Sequence, residues 1–246
     1  MCIRGNLLKE EVQRIFMNVL DILQYSANRL DYLMSRWDSI LKSSAQAVRW
    51  FMDIGFQLLY AERELGKLEQ IPNIRENLRA KLYILLYDHI VPSLDKSYNQ
   101  FERVIKIAEE IKDNINRVEK LLNKWERIKD PANTYYQVID FIRLIIKSLQ
   151  EIIEMYKKSF EIKTIIRNEI VNNMPPTVEL TNYFTVWRIE PSIRPDLIQR
   201  ARQEIDDNLG YLRSFLNDHL PKAMYLNYDY EQQENKTKKS WTRYFK

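Results

Sequence analysis

The chain of 246 residues carries 38 basic and 34 acidic side chains, a net charge of +4, with 45% hydrophobic residues, four glycines and one cysteine. That apolar content is enough to bury a core, and so even a charge balance makes the body a salt-laced surface rather than a nucleic-acid-binding one. Glycine far below the usual ~7% removes most tight left-handed turns, hairpins and phosphate-cradling loops, which predicts an all-α protein.

The lone Cys2 excludes an intramolecular disulfide framework and fits a reducing compartment. No stretch of about eighteen residues is free of charge, so no transmembrane helix is expected. Lys9, Glu10 and Glu11 interrupt the N-terminus where a signal peptide would need an apolar run. The expected location is the cytoplasm or the nucleus, or a virion whose parts are made inside a cell.

Prolines 72, 131, 175, 176, 191, 195 and 221 divide the chain, since proline lacks the N–H donor and clashes with the preceding turn. From Asn6 to about Ile71, apolar or small residues recur in steps of three and four through Val12, Val19, Leu30, Trp37, Ser44, Phe51 and Leu58. This is one stripe on a helix that, unbroken, would run about 100 Å. The small residues at 43–47 and Gly55 mark either a break or places where a neighbouring helix comes close. Around them the polar residues shrink to a ridge of Arg49, Asp53 and Gln57, which predicts burial on several sides.

A second helix is predicted from Asn73, with Glu76 at the capping-box spacing, to a kink at Pro92, where Ser93 is placed to cap the helix beyond. In that helix Leu94, Tyr98, Phe101, Ile105, Ala108, Ile111, Ile115, Val118, Leu122 and Trp125 repeat close to every 3.5 residues, the spacing of a coiled-coil seam. After Pro131 a third segment carries one stripe through Ile139, Ile142, Ile146, Leu149, Ile153, Tyr156 and Phe160. A second runs beside it through Val138, Phe141, Ile145 and Ile152, and two stripes mean two packing partners.

Residues 174–194 break the helical pattern: prolines bracket a partial two-residue alternation at Val178, Leu180, Phe184 and Val186, the mark of an irregular connector or extended arm. A fourth helix starts near Pro195, with Asp196 in its first turn, and runs to about His219. The architecture predicted is an elongated antiparallel helical bundle with coiled-coil-like packing. It comprises a three-helix bundle over 1–173, the connector 174–194, a fourth helix over 195–221 that extends or caps the bundle, and a tail over 222–246, together one structural domain.

Motifs that carry chemistry are scarce. His89, His219 and Cys2 do not make a zinc set, no serine lies in a nucleophile elbow, and no phosphate loop can be written around Gly5, Gly55, Gly66 or Gly210. The adjacent carboxylates Glu10-Glu11, Glu109-Glu110 and Asp206-Asp207 point about 100° apart on a helix and do not converge on a substrate. No enzyme activity, metal or cofactor is expected.

The C-terminal KTKKSWTRYFK gathers Lys236, Lys238, Lys239, Arg243 and Lys246 around Trp241, Tyr244 and Phe245 with no acid among them. Such a segment docks on its own bundle or on a neighbouring subunit, grips nucleic acid, lies on an anionic membrane, or is a free tail without a role. The leading expectation is a non-enzymatic scaffolding or assembly protein, cellular or viral, that binds itself or other helical proteins. The alternatives are a nucleic-acid accessory protein or a peripheral membrane protein, both using the tail.

Overall fold

The structure is a computed structural model and describes residues 2–63, 65–127, 136–173 and 177–219; the basic-aromatic tail lies outside them. Among the described residues there is no strand, and the long helices pack against one another as an all-α bundle.

The first helix, α1, is continuous from Cys2–Ala61, about 90 Å at ~1.5 Å per residue. Neither the small residues at 43–47 nor Gly55 breaks it. Its stripe is buried from Val12 through Val19, Leu30, Trp37 and Phe51 to Leu58. It stops ten residues short of Ile71. Gly66 takes a left-handed φ of 60° at the head of a 3-10 turn, Gly66–Gln70, and Pro72 holds Ile71 extended at ψ 121°.

The expected capping box at Asn73 does not form. Asn73 sits in the left-handed region (φ 56°), where its side chain makes no cap and only its backbone carbonyl is engaged, by the Asn77 N–H. Arg75 does the joining, donating to the Ala61 carbonyl at 3.2 Å and to the Glu69 carboxylate. From there α2 (Ile74–Leu85), a π-helical turn (Leu86–Ile90) and α3 (Val91–Arg127) follow without a gap. Ser93 is therefore no cap; it lies inside the helix, and its carbonyl accepts the Ser97 hydroxyl. Pro92 falls right after the π turn, where the regular hydrogen-bond ladder is already relaxed.

Side-chain pairs fix the directions. Lys124 meets Glu11, Trp125 meets Phe16, Glu110 takes Tyr25 and Arg29, and Phe101 packs at a tilt against Trp37, so α3 runs antiparallel to α1. Every member of the α3 stripe except half-buried Tyr98 is buried. The next helix, α4 (Tyr136–Asn173), runs back along α3 through Arg143 to Glu126, Phe160 to Tyr98 and Arg167 to Asp95. Its second stripe faces α6 (Pro195–His219), where Phe141 meets Tyr211 and Ser148 meets Glu204.

Residues 174–194, expected to be an irregular connector, are helical over Thr177–Ile189, which forms α5. Leu180, Phe184 and Trp187 are also four and three residues apart, so the same residues that suggest alternation form a helical face. That face packs on α1: Leu180 lies against Gly55, and Trp187 donates to Ser44 at 3.0 Å. The true interruption is Glu190 to Arg194, with Glu190 left-handed at φ 51° ahead of Pro191. Rather than extending or capping the bundle, α5 and α6 form its fourth member, bent at that elbow. They run antiparallel to α1 and α4, which completes an up-down-up-down arrangement.

Candidate functional sites

The elbow encloses the most polar point of the core. Glu190 and Lys163 are 6% and 1% exposed, and the Lys163 Nζ stands 2.8 Å from Glu190 Oε1. The same oxygen accepts from Trp37 Nε1 at 2.8 Å and from Ser159 Oγ at 3.0 Å. Lys163 donates besides to the Trp187 carbonyl at 3.0 Å, one of the carbonyls that the end of α5 leaves free. The rings of Trp187, Phe101 and Trp37 surround its ammonium, with centroids at 4.7, 5.1 and 5.9 Å.

Burial pushes the Lys163 amine below its ordinary range, and the facing Glu190 carboxylate opposes that shift. Burial likewise raises the Tyr156 phenol, whose ring packs edge-on against Trp37. This is a buried ion pair: three donors and two acceptors are spent on one another, and their effect is to fix where α5 ends and α6 begins.

The second site is its inverse. Of fifteen large hydrophobic residues exposed among those described, eight fall between Leu59 and Tyr87: Leu59, Tyr60, Leu68, Ile71, Tyr83, Ile84, Leu85 and Tyr87. On α2 and its π turn only Leu82, Leu86 and Ile90 are buried. The sequence LYILLY is apolar nearly all round, and with one face on the bundle it leaves Tyr83, Ile84, Leu85 and Tyr87 outward. Tyr83 and Tyr87 stack on each other at 6.2 Å, one turn apart. Such a concentration on one helix is an exposed apolar patch of a kind that soluble monomers rarely carry.

On α1 and α5, Ala45, Gln46, Arg49, Trp50, Asp53, Phe184 and Arg188 line an open groove of about 580 Å³. The ridge of Arg49, Asp53 and Gln57 is thus only partly enclosed. Phe51, Ile54 and Leu58 are buried, but Trp50 is 46% exposed, because among the described residues α1 has helices on two sides here and none on the third.

Of the residues singled out in sequence, the tail set from Lys236 to Lys246 lies outside the described residues, and His89 is exposed in the π turn. Glu110 is engaged by Tyr25 and Arg29, and Asp207 accepts from Gln203, so these carboxylates serve separate surface contacts. Among the described residues no group of three metal-binding side chains gathers, and no helix is long and apolar enough to cross a membrane. Sequence reasoning missed Lys163 and Glu190. The available signal was a lysine on an inward line, four residues after Ser159 and seven after Tyr156.

No protein-family model, no curated protein and no solved structure matches this chain.

Proposed function

We infer that this chain is a non-enzymatic assembly protein that works through helix-to-helix contact with another protein surface, made by the outer face of α2. The observation that carries this reading is the outward set Tyr83, Ile84, Leu85 and Tyr87 on a helix whose opposite face is already satisfied by Leu82, Leu86 and Ile90. Leaving an isoleucine 57% and a leucine 42% exposed side by side forgoes about half of the ~1.5–3 kcal/mol that full burial of each side chain provides, which a partner helix recovers. Aromatic residues at the rim add rigid contact area at little entropic cost. The partner is a helix with an apolar stripe of its own, the grooved complement that such a face packs against.

The test is a photo-reactive benzophenone amino acid placed at Ile84 of the full chain, in the cells that make it. A second protein carries the probe at exposed Lys106 on α3 as control. The reading requires a discrete, protease-sensitive adduct from position 84, absent from position 106 and lost when Leu85→Asp is added. An adduct removed by nuclease, a lipid adduct, or none above the control overturns it, the first two in favour of the nucleic-acid or membrane alternatives.

A further inference from the structure

We propose that the helix seated on α2 is α2 of a second copy of this chain, the two crossing antiparallel about a two-fold axis between Ile84 and Leu85. This rests on the reading of α2 as a protein-binding face and specifies its partner.

The argument is the placement of charge around the apolar centre. Lys81 lies three residues before Ile84 and Asp88 three after Leu85, so acid and base flank the centre at equal distances. Lys81, Ile84 and Leu85 share a side of α2, and the π turn sets Asp88 midway between the inward-facing Leu86 and Ile90, so that all four look outward. Both charged residues are exposed, and neither takes part in an ion pair among the described residues. By contrast Arg75 and Arg79, farther toward the helix start, are satisfied by Glu69 and Glu62.

An antiparallel copy centred on Ile84 and Leu85 sets Lys81 opposite the partner's Asp88, and Asp88 opposite the partner's Lys81. Ile84 then faces the partner's Leu85, and small Ala80 makes room beside the partner's His89. A parallel copy would set lysine on lysine and aspartate on aspartate. The pattern is therefore self-complementary in one direction only, which is what a closed two-fold interface requires and what an unrelated partner does not. A single helix face lies below the ~800 Å² per partner of a standard interface, so the dimer is expected at roughly micromolar concentration.

Sedimentation velocity on the full-length protein tests this through the symmetry. Lys81→Glu alone and Asp88→Lys alone each set like charges together at both ends, and each is expected to weaken association at least about tenfold. An equimolar mixture of the two variants is expected to regain it, because one contact then joins the new acid to the new base and the other joins the original Asp88 to the original Lys81. Circular dichroism melts establish that both variants are folded, and Ile84→Asp supplies an independent break at the centre.

Restoration in the mixture, with wild type dimeric and Ile84→Asp monomeric, is the result expected. A monomeric wild type, a dimer that ignores Ile84→Asp, or a mixture no tighter than its components overturns the proposal. The probe at Ile84 separates this from the broader reading: an adduct at twice the chain's own mass supports both. An adduct with a different protein sinks the second copy alone, and no adduct sinks the two together.

Discussion

The elbow around Glu190 and the outer face of α2 break the same rule in opposite directions. One puts an ion pair where apolar residues belong; the other puts isoleucine and leucine where charge belongs. At the elbow the cost is met inside the chain, since Glu190 has three donors on one oxygen and Lys163 has a carboxylate, a carbonyl and three rings. On α2 nothing described within the chain meets it. A rule broken and fully compensated reads as architecture, and a rule broken without compensation reads as an appeal to something outside the molecule.

The largest way to break this contrast is to remove one half of the ion pair. Lys163→Met strands a carboxylate in the core and is expected to cost about 3–5 kcal/mol in urea unfolding. Adding Glu190→Gln, which keeps an acceptor for Trp37 and Ser159 but no charge, should recover much of that loss. If the double variant is no more stable than the single one, pairing is not what holds the elbow.

Next comes the seat of α5. A methyl at Gly55 would stand 2.7 Å from Leu180 Cδ1, in a side chain only 2% exposed, so Gly55→Ala should cost about 1–3 kcal/mol. Leu180→Val made together with it should cost less than the two changes summed, a coupling that a double-mutant cycle would measure.

A smaller, pH-dependent effect belongs to a residue between the extremes. Half-buried Asp21 on α1 has its carboxyl pushed up by burial to about 6, from an ordinary 3.8. The folded state thus holds that proton more tightly than the unfolded chain, and Asp21 withdraws stability as pH rises from about 4 through 6. Asp21→Asn should match wild type relative to its own baseline below pH 4 and gain on it up to about pH 7, read from urea midpoints. A gap that does not widen with pH would contradict the assignment.

The smallest change sharpens the other pole. Ile84→Asp should leave the unfolding free energy of the isolated monomer within about 0.5 kcal/mol, because the side chain has no interior to leave. A large loss there would mean that Ile84 is core after all.

Much of the fold is legible from spacing. The stripes on α1, α3 and α4 are periodic over many turns, and the second stripe on α4 announced a second neighbour, which is α6. What failed were the ends and the short elements, where two conformations use the same residues. Leu180, Phe184 and Trp187 suit a helix as well as an arm, and Asn73 has the composition of a cap but a left-handed backbone. The ion pair was illegible for another reason: Lys163 and Glu190 are 27 positions apart, and it is the packing of α5 back along α4 that brings them together. The apolar run LYILLY was visible as a helix, but which part of it faces outward depends on winding that composition does not carry.

That winding has a meaning in terms of phase. Leu82, Leu86, Ile90 and Leu94 are buried at intervals of four, whereas carrying the α3 face backwards at 3.6 residues per turn would bring Tyr87 and Tyr83 inward instead. The π turn Leu86–Ile90 holds one residue more than an α turn would, and it is this surplus that rotates α2 about its axis. The segment behaves as an absorbed insertion. Deleting one of its exposed residues, Tyr87, Asp88 or His89, would give the leucines to a plain α-helix without changing which side of α2 looks out. The outward face of α2 is therefore held by its buried leucines, and the π turn is what lets them keep their side despite the extra residue.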